Sequence, residues 1–323
     1  MLQCFPLDRF QIFSRLSLSL ICFLVANLTL AAPCDEVRAR FFHRFETLQN
    51  STQDNFGDKV LNSENFPVWS TPSKNSNGEI VYLLHGFLGS PFEMKSTAEV
   101  LTQNGYTVIR DILPGHGVTA TTANSFSIQN IQQHVFGNLN ALKICGQKIH
   151  LVGFSTGATL LHHYLQKNSD DYIASVTLIS PYYRPSVWFG DLLSLGAGLF
   201  ISTLSIDFAY TTTRFPDIKV AYLDPIHYVR DIPIQMANEI DSLGDTTLLT
   251  AARIAVPVLL LTSTNDQTAS PAITHAKVAV DFISPQLMHY GPWYLAPHHI
   301  MAEAVSPVAK NAHQLVKTFV SQH

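Results

Sequence analysis

The chain has 323 residues, of which 46% are hydrophobic and 14% charged, and its formal net charge is −4. This composition suits one large folded domain with an insertion and excludes a disordered chain. It has no basic cluster interleaved with aromatics to bind nucleic acid and no glycine-rich loop ending in Gly-Lys-Ser/Thr to bind a nucleotide, and no motif calls for a cofactor.

At the N-terminus, Arg9 and Arg15 precede the apolar run Leu16 to Ala26, and small residues follow at Ala31-Ala32. Residues 1–31 therefore read as a signal peptide, and export to a periplasmic or secreted location is expected. The run is short for a membrane span and is interrupted by Asn27 and Thr29, so an uncleaved anchor is the weaker reading. Residues 32–78 read as an N-terminal extension. A helix is expected over Asp35 to Gln49, with Phe41, Phe42 and Phe45 on one side, followed by a polar stretch with short edge strands. Cys34 and Cys145 are the cysteines left after cleavage. In an oxidising compartment they either pair or remain two thiols, and the sequence leaves both open. Pro33 argues against lipid attachment at Cys34.

From residue 79 apolar strands alternate with amphipathic helices. Strands are expected at 80–84, 107–112, 148–154, 173–180, 256–261 and 286–290. Helices are expected near 92–104, 128–144, 158–167 and 306–322. The alternation predicts an α/β fold with a mostly parallel central sheet covered by helices on both faces. The rhythm breaks between 182 and 250. That stretch reads as a helical cap inserted between a first core part, 79–181, and a second, 251–323. Its apolar run, Trp188 to Ile201, would roof a site for an acyl chain and offer peripheral membrane contact, although an ordinary core helix fits equally well. Oligomeric state is not legible.

The most informative motif is Gly153-Phe154-Ser155-Thr156-Gly157, between a strand and a helix. A serine flanked by glycines in that setting is a nucleophile elbow, so Ser155 is the candidate nucleophile. His85-Gly86-Phe87 ends the strand at 80–84 and can aim a backbone N–H at the serine. The expected oxyanion donors are the N–H groups of Phe87 and Thr156. Asp266 ends the strand at 256–261, where it would orient an imidazole. Pro297-His298-His299 follows, and His298 is the preferred base, with His299 as its competitor. Adjacent histidines also suggest a metal, but their side chains diverge and no further ligand stands at ligand spacing, so none is expected. His162-His163 reads the same way, as helix surface and helix interior. His116 reads as structural in its loop.

These pieces, with Gly105-Tyr106-Thr107-Val108 and Leu113-Pro114-Gly115-His116-Gly117, resemble the α/β-hydrolase superfamily, and most of all its bacterial carboxylesterases and monoacylglycerol lipases. The resemblance spans about residues 78 to 322. It implies a Ser155–His298–Asp266 triad that cleaves small-molecule or lipid esters through an acyl-enzyme. An acyltransferase with the same triad, or a non-catalytic binding protein on this fold, remains the alternative. Two positions depart from the family pattern. Ala158 stands where a second glycine is common, and Arg110-Asp111 stands where many members have proline.

Overall fold

The computed structural model describes residues 34–43, 63–117, 127–145, 147–186, 203–205, 227–228 and 231–323. The expected signal peptide and most of the expected cap lie outside these residues.

Strand β2 (Ile80–Leu84) is apolar at all five positions and buried at all five. A strand can be apolar throughout only if both faces of its sheet are covered. The alternation of side chains accounts for this here. Ile80, Tyr82 and Leu84 join one core cluster, and Val81 and Leu83 join a second on the opposite face. The sheet has seven strands. These are β1 (Val68–Ser70), β2, β3 (Thr107–Asp111), β4 (Ile149–Phe154), β5 (Ile173–Ile179), β8 (Val258–Ser263) and β9 (Pro285–Tyr290), in spatial order β1-β3-β2-β4-β5-β8-β9. Only β1 runs antiparallel to its neighbour. The short strands β6 (Thr203–Ser205) and β7 (Asp231–Pro233) pair with each other away from this sheet.

One face of the sheet is covered by α1 (residues 34–43), α3 (Ile128–Leu142), α4 (Thr156–Lys167), α5 (Ile234–Leu249) and α6 (Pro271–Asp281), and the other by α2 (Lys95–Gln103) and α7 (Ala309–Ser321). Helix α3 begins where Ser127 caps it by accepting the Asn130 N–H at 3.1 Å. Helix α5 falls within the stretch read above as cap, yet its Met236, Ile240 and Leu243 pack into the core cluster beside α4.

The expectation for His162 and His163 needs correcting, because both are fully buried. Helix α4 lies between α3 and α5 and has no solvent face along this length. Within that layer His162 is held by the Tyr183 hydroxyl at 2.6 Å and by Asp281 at 2.9 Å. Lys277 completes the group by donating to Asp281 at 3.1 Å.

The Arg110-Asp111 departure also has a structural role. Buried Asp111 accepts hydrogen bonds from the Tyr82 hydroxyl and from Asn138 Nδ2, and meets His134 Nε2 at 3.0 Å, tying α3 to the sheet. Burial alone would raise its pKa, but His134, Tyr82 and Asn138 together hold it below the ordinary carboxylate value. Arg110 turns the other way and donates to the Pro91 carbonyl at 3.2 Å.

Cys34 and Cys145 form a disulfide that joins the start of α1 to the turn after α3. It closes a loop across 111 positions. In the chain-entropy picture such a loop stabilises the fold by about 4 to 5 kcal/mol.

Candidate active site

Strand β4 is fully buried, and the chain must reverse sharply at its end to enter α4. Ser155 makes this turn with φ +51° and ψ −118°. A non-glycine residue in that region is strained by about 1 to 3 kcal/mol. The surrounding bonds hold it there. Its N–H donates to the Ile179 carbonyl at 2.8 Å, and its carbonyl accepts the Thr159 N–H at 3.1 Å. Gly157 is required because a Cβ there would lie 2.5 Å from the His85 carbonyl oxygen.

Ser155 Oγ is 2.9 Å from Nε2 of His298, and Nδ1 of His298 is 2.8 Å from Oδ2 of Asp266. The carboxylate can only accept, so Nδ1 carries the proton and Nε2 presents its lone pair to the serine hydroxyl. Asp266 Oδ1 accepts the N–H groups of Thr268 and Ala269 at 2.9 and 2.8 Å, which fixes the rotation of the carboxylate. All three side chains are buried. They follow the carboxyl ends of β4, β8 and β9, where sites form in open α/β sheets. Ser263 Oγ donates to the Ala296 carbonyl at 2.5 Å and ties the aspartate loop to the histidine loop. A hydroxyl in a polar turn carries no sequence signal of its partner, so Ser263 is legible only in the structure.

His299 points elsewhere. Its Nε2 faces Glu93 at 3.5 Å, and the Phe154 ring packs 5.1 Å from both imidazoles. His298 is the imidazole hydrogen-bonded to Ser155.

The turn after β2 runs beside the serine, and a Cβ on Gly86 would lie 3.1 Å from Ser155 Cβ. His85 accepts the Leu113 N–H at Nε2, 3.0 Å away, so its Nδ1 carries the proton and donates to the Gly86 carbonyl at 2.8 Å. The Gly86 carbonyl and the Phe87 N–H belong to one planar peptide unit and point in opposite directions. Fixing the carbonyl therefore fixes the direction of the Phe87 N–H. The Thr156 N–H lies in the first turn of α4, where a helix supplies no acceptor of its own.

His116 packs beneath this turn, with its ring 5.3 Å from His85 and 6.1 Å from Phe87. Burial, aided by the neighbouring His85, pushes its pKa down to about 3. Its folded value thus lies below the unfolded one, so the stability it confers is complete above about pH 6.5 and is lost as pH falls from there toward 3. At pH 5 the loss should reach about 2 kcal/mol. Urea unfolding of wild type and His116→Gln at pH 7 and pH 5 checks this. The gap between the two proteins should narrow by that amount in acid, and a gap that does not change with pH would refute it.

Beside Phe154 a cavity of about 320 Å³ is lined by Phe92, Met94, Phe154, Tyr228, His299 and Met301, among others. Its walls are largely apolar, which suits a hydrocarbon group, and also carry Glu93, Lys95, Ser96 and Glu303.

The family model Hydrolase_4, described as serine aminopeptidase S33, matches residues 75–282, more than half of the chain. The chain belongs to this family. The serine aminopeptidase match includes Ser155 and Asp266 and stops short of His298. The thermostable monoacylglycerol lipase of Bacillus sp. (strain H-257) is 28% identical over 215 residues, covering 65% of this chain and 80% of the relative. The crystal structure of a Paleococcus ferrophilus monoacylglycerol lipase superposes with a TM-score of 0.63 at 21% identity, covering 80% of this chain and 99% of that one. A monoglyceride lipase from Saccharomyces cerevisiae, in complex with a substrate analogue, gives 0.59 at 16% identity, covering 82% and 96%. The two structures establish that the fold is shared.

Proposed function

We propose that this hydrolase cleaves carboxylic esters, with monoacylglycerol-like lipids as the substrate class, through Ser155, His298 and Asp266. The observation that carries this reading is the hydrogen-bonded series from Asp266 through His298 to Ser155 Oγ. In the proposed reaction His298 Nε2 takes the serine proton as Oγ attacks the ester carbonyl. The N–H groups of Phe87 and Thr156 stabilise the oxyanion. The imidazolium then protonates the departing alkoxide, leaving an acyl-enzyme. Water, deprotonated by the same imidazole, attacks the acyl group and regenerates Ser155. Asp266 stays ionised and holds the imidazole in its working tautomer. The lipase relative and the apolar cavity beside Phe154 support a lipid ester. The Cys34–Cys145 disulfide supports an exported protein, in keeping with the N-terminal segment.

The family's description favours a second reading, removal of N-terminal amino acids from peptides. Both readings use the same serine, so the substrate must decide. The purified protein should be labelled by a fluorophosphonate and should release fatty acid from monoacylglycerol far faster than it releases nitroaniline from aminoacyl nitroanilides. Labelling with the reverse preference would support the peptidase reading, and no labelling would refute both.

A further inference from the structure

Glu93 lies between the two loops that flank Ser155, and no step proposed above uses it. It belongs to the 3₁₀ turn Pro91–Met94 that follows β2, and its side chain is only 5% exposed. A carboxylate removed from water needs donors and a positive neighbour to stay ionised. Oε2 of Glu93 accepts the Gly86 N–H at 2.9 Å, while Oε1 accepts no hydrogen bond from the described residues and faces His299 Nε2 at 3.5 Å, a contact that becomes an ion pair when His299 is protonated. Burial alone would raise the pKa of Glu93, but His299 and the Gly86 N–H hold it below the ordinary value. The nearby Lys95 is engaged by Glu64 at 2.6 Å. Gly86 immediately precedes the Phe87 donor, and His299 immediately follows the base.

We infer that Glu93 is a positioning residue whose carboxylate clamps the oxyanion turn, through Gly86, to the histidine loop, through His299. The clamp sets the distance between the oxyanion donor and the imidazole. Transition-state stabilisation is sensitive to displacements of well under an ångström, so a tie between these loops acts on turnover more than on substrate binding. The inference rests on the ester-cleaving reading for its kinetic consequence and on geometry alone for its structural one.

The test uses Glu93→Ala, Glu93→Gln and His299→Ala in the full-length protein. Glu93→Ala should lower kcat by roughly 10- to 100-fold with KM within about threefold, because the loss falls on the transition state. Glu93→Gln keeps an acceptor for Gly86 N–H and should recover to within about fivefold of wild type. Amide hydrogen exchange over residues 84–92 supplies a readout independent of activity. The Gly86 N–H should lose protection in Glu93→Ala and keep it in Glu93→Gln. Wild-type exchange at Gly86 in Glu93→Ala, or kcat within twofold of wild type, would overturn the inference. If Glu93→Ala does not fold, His299→Ala tests the clamp from its other end. Glu93→Gln placed on top of His299→Ala should then cost less than it does alone, whereas fully multiplicative losses would overturn the coupling. A wild-type protein inactive on every ester would refute the proposed function. The exchange measurement would still decide the clamp.

Discussion

Ser155→Ala should lower ester turnover by about 10⁴- to 10⁶-fold, the range found when a nucleophile is removed from a unit whose members act together. The variant should stay folded for a specific reason. Alanine keeps the Cβ, so the backbone strain at φ +51° is neither relieved nor increased, and the bonds from residue 155 to Ile179 and Thr159 use only main-chain atoms. A thermal melt within a few degrees of wild type, together with loss of fluorophosphonate labelling, is therefore expected. Steady-state rates on a short-chain nitrophenyl ester provide the check. Turnover within tenfold of wild type would mean that another group attacks the carbonyl and that the serine is a bystander.

Asp266→Asn should cost about 10⁴-fold in kcat with little change in KM, as expected when the imidazole is left in the wrong tautomer. The surroundings of the carboxylate leave the amide no harmless orientation. If its oxygen stays on the Thr268 and Ala269 N–H groups, its NH₂ faces His298 Nδ1 and drives the ring proton to Nε2, so the imidazole no longer presents a lone pair to Ser155 Oγ. If the amide flips, NH₂ faces two backbone donors and both bonds are lost. The first outcome removes the base with the fold intact, whereas the second keeps the amide oxygen on His298 Nδ1, and so the working tautomer, but lowers the melting temperature. Kinetics combined with a melt separate the two. A kcat loss below about tenfold with an unchanged melting temperature would show that Asp266 does not orient the base.

Much of the sheet could be read from the sequence because its central strands are buried on both faces. Ile80 to Leu84 and Val258 to Leu261 must then be apolar at every position, and runs of that kind stand out. The elbow was legible for a related reason, since Gly157 answers to a backbone atom, His85 O, that leaves no room for a side chain. Features that depend on partners distant in sequence were not legible. Nothing in Ser-Pro-Phe-Glu-Met indicates that its glutamate will meet an imidazole some two hundred residues later. His162 is buried against Tyr183 and Asp281 and His163 packs beside Phe136 of α3, partners whose approach no local pattern announces. The Pro-His step favours His298 over His299 in the sequence, but spacing does not exclude the competitor. The choice turns on which ring Asp266 and Ser155 meet, a matter of three-dimensional direction.

The bond between Cys34 and Cys145 turns the first part of the molecule into a covalent ring that contains β2 and the Phe87 turn, while Ser155 lies just beyond the closure. A protease that cuts once inside this ring yields two polypeptides that migrate together until a thiol reductant is added. The piece bearing the nucleophile would therefore keep the other piece attached after nicking.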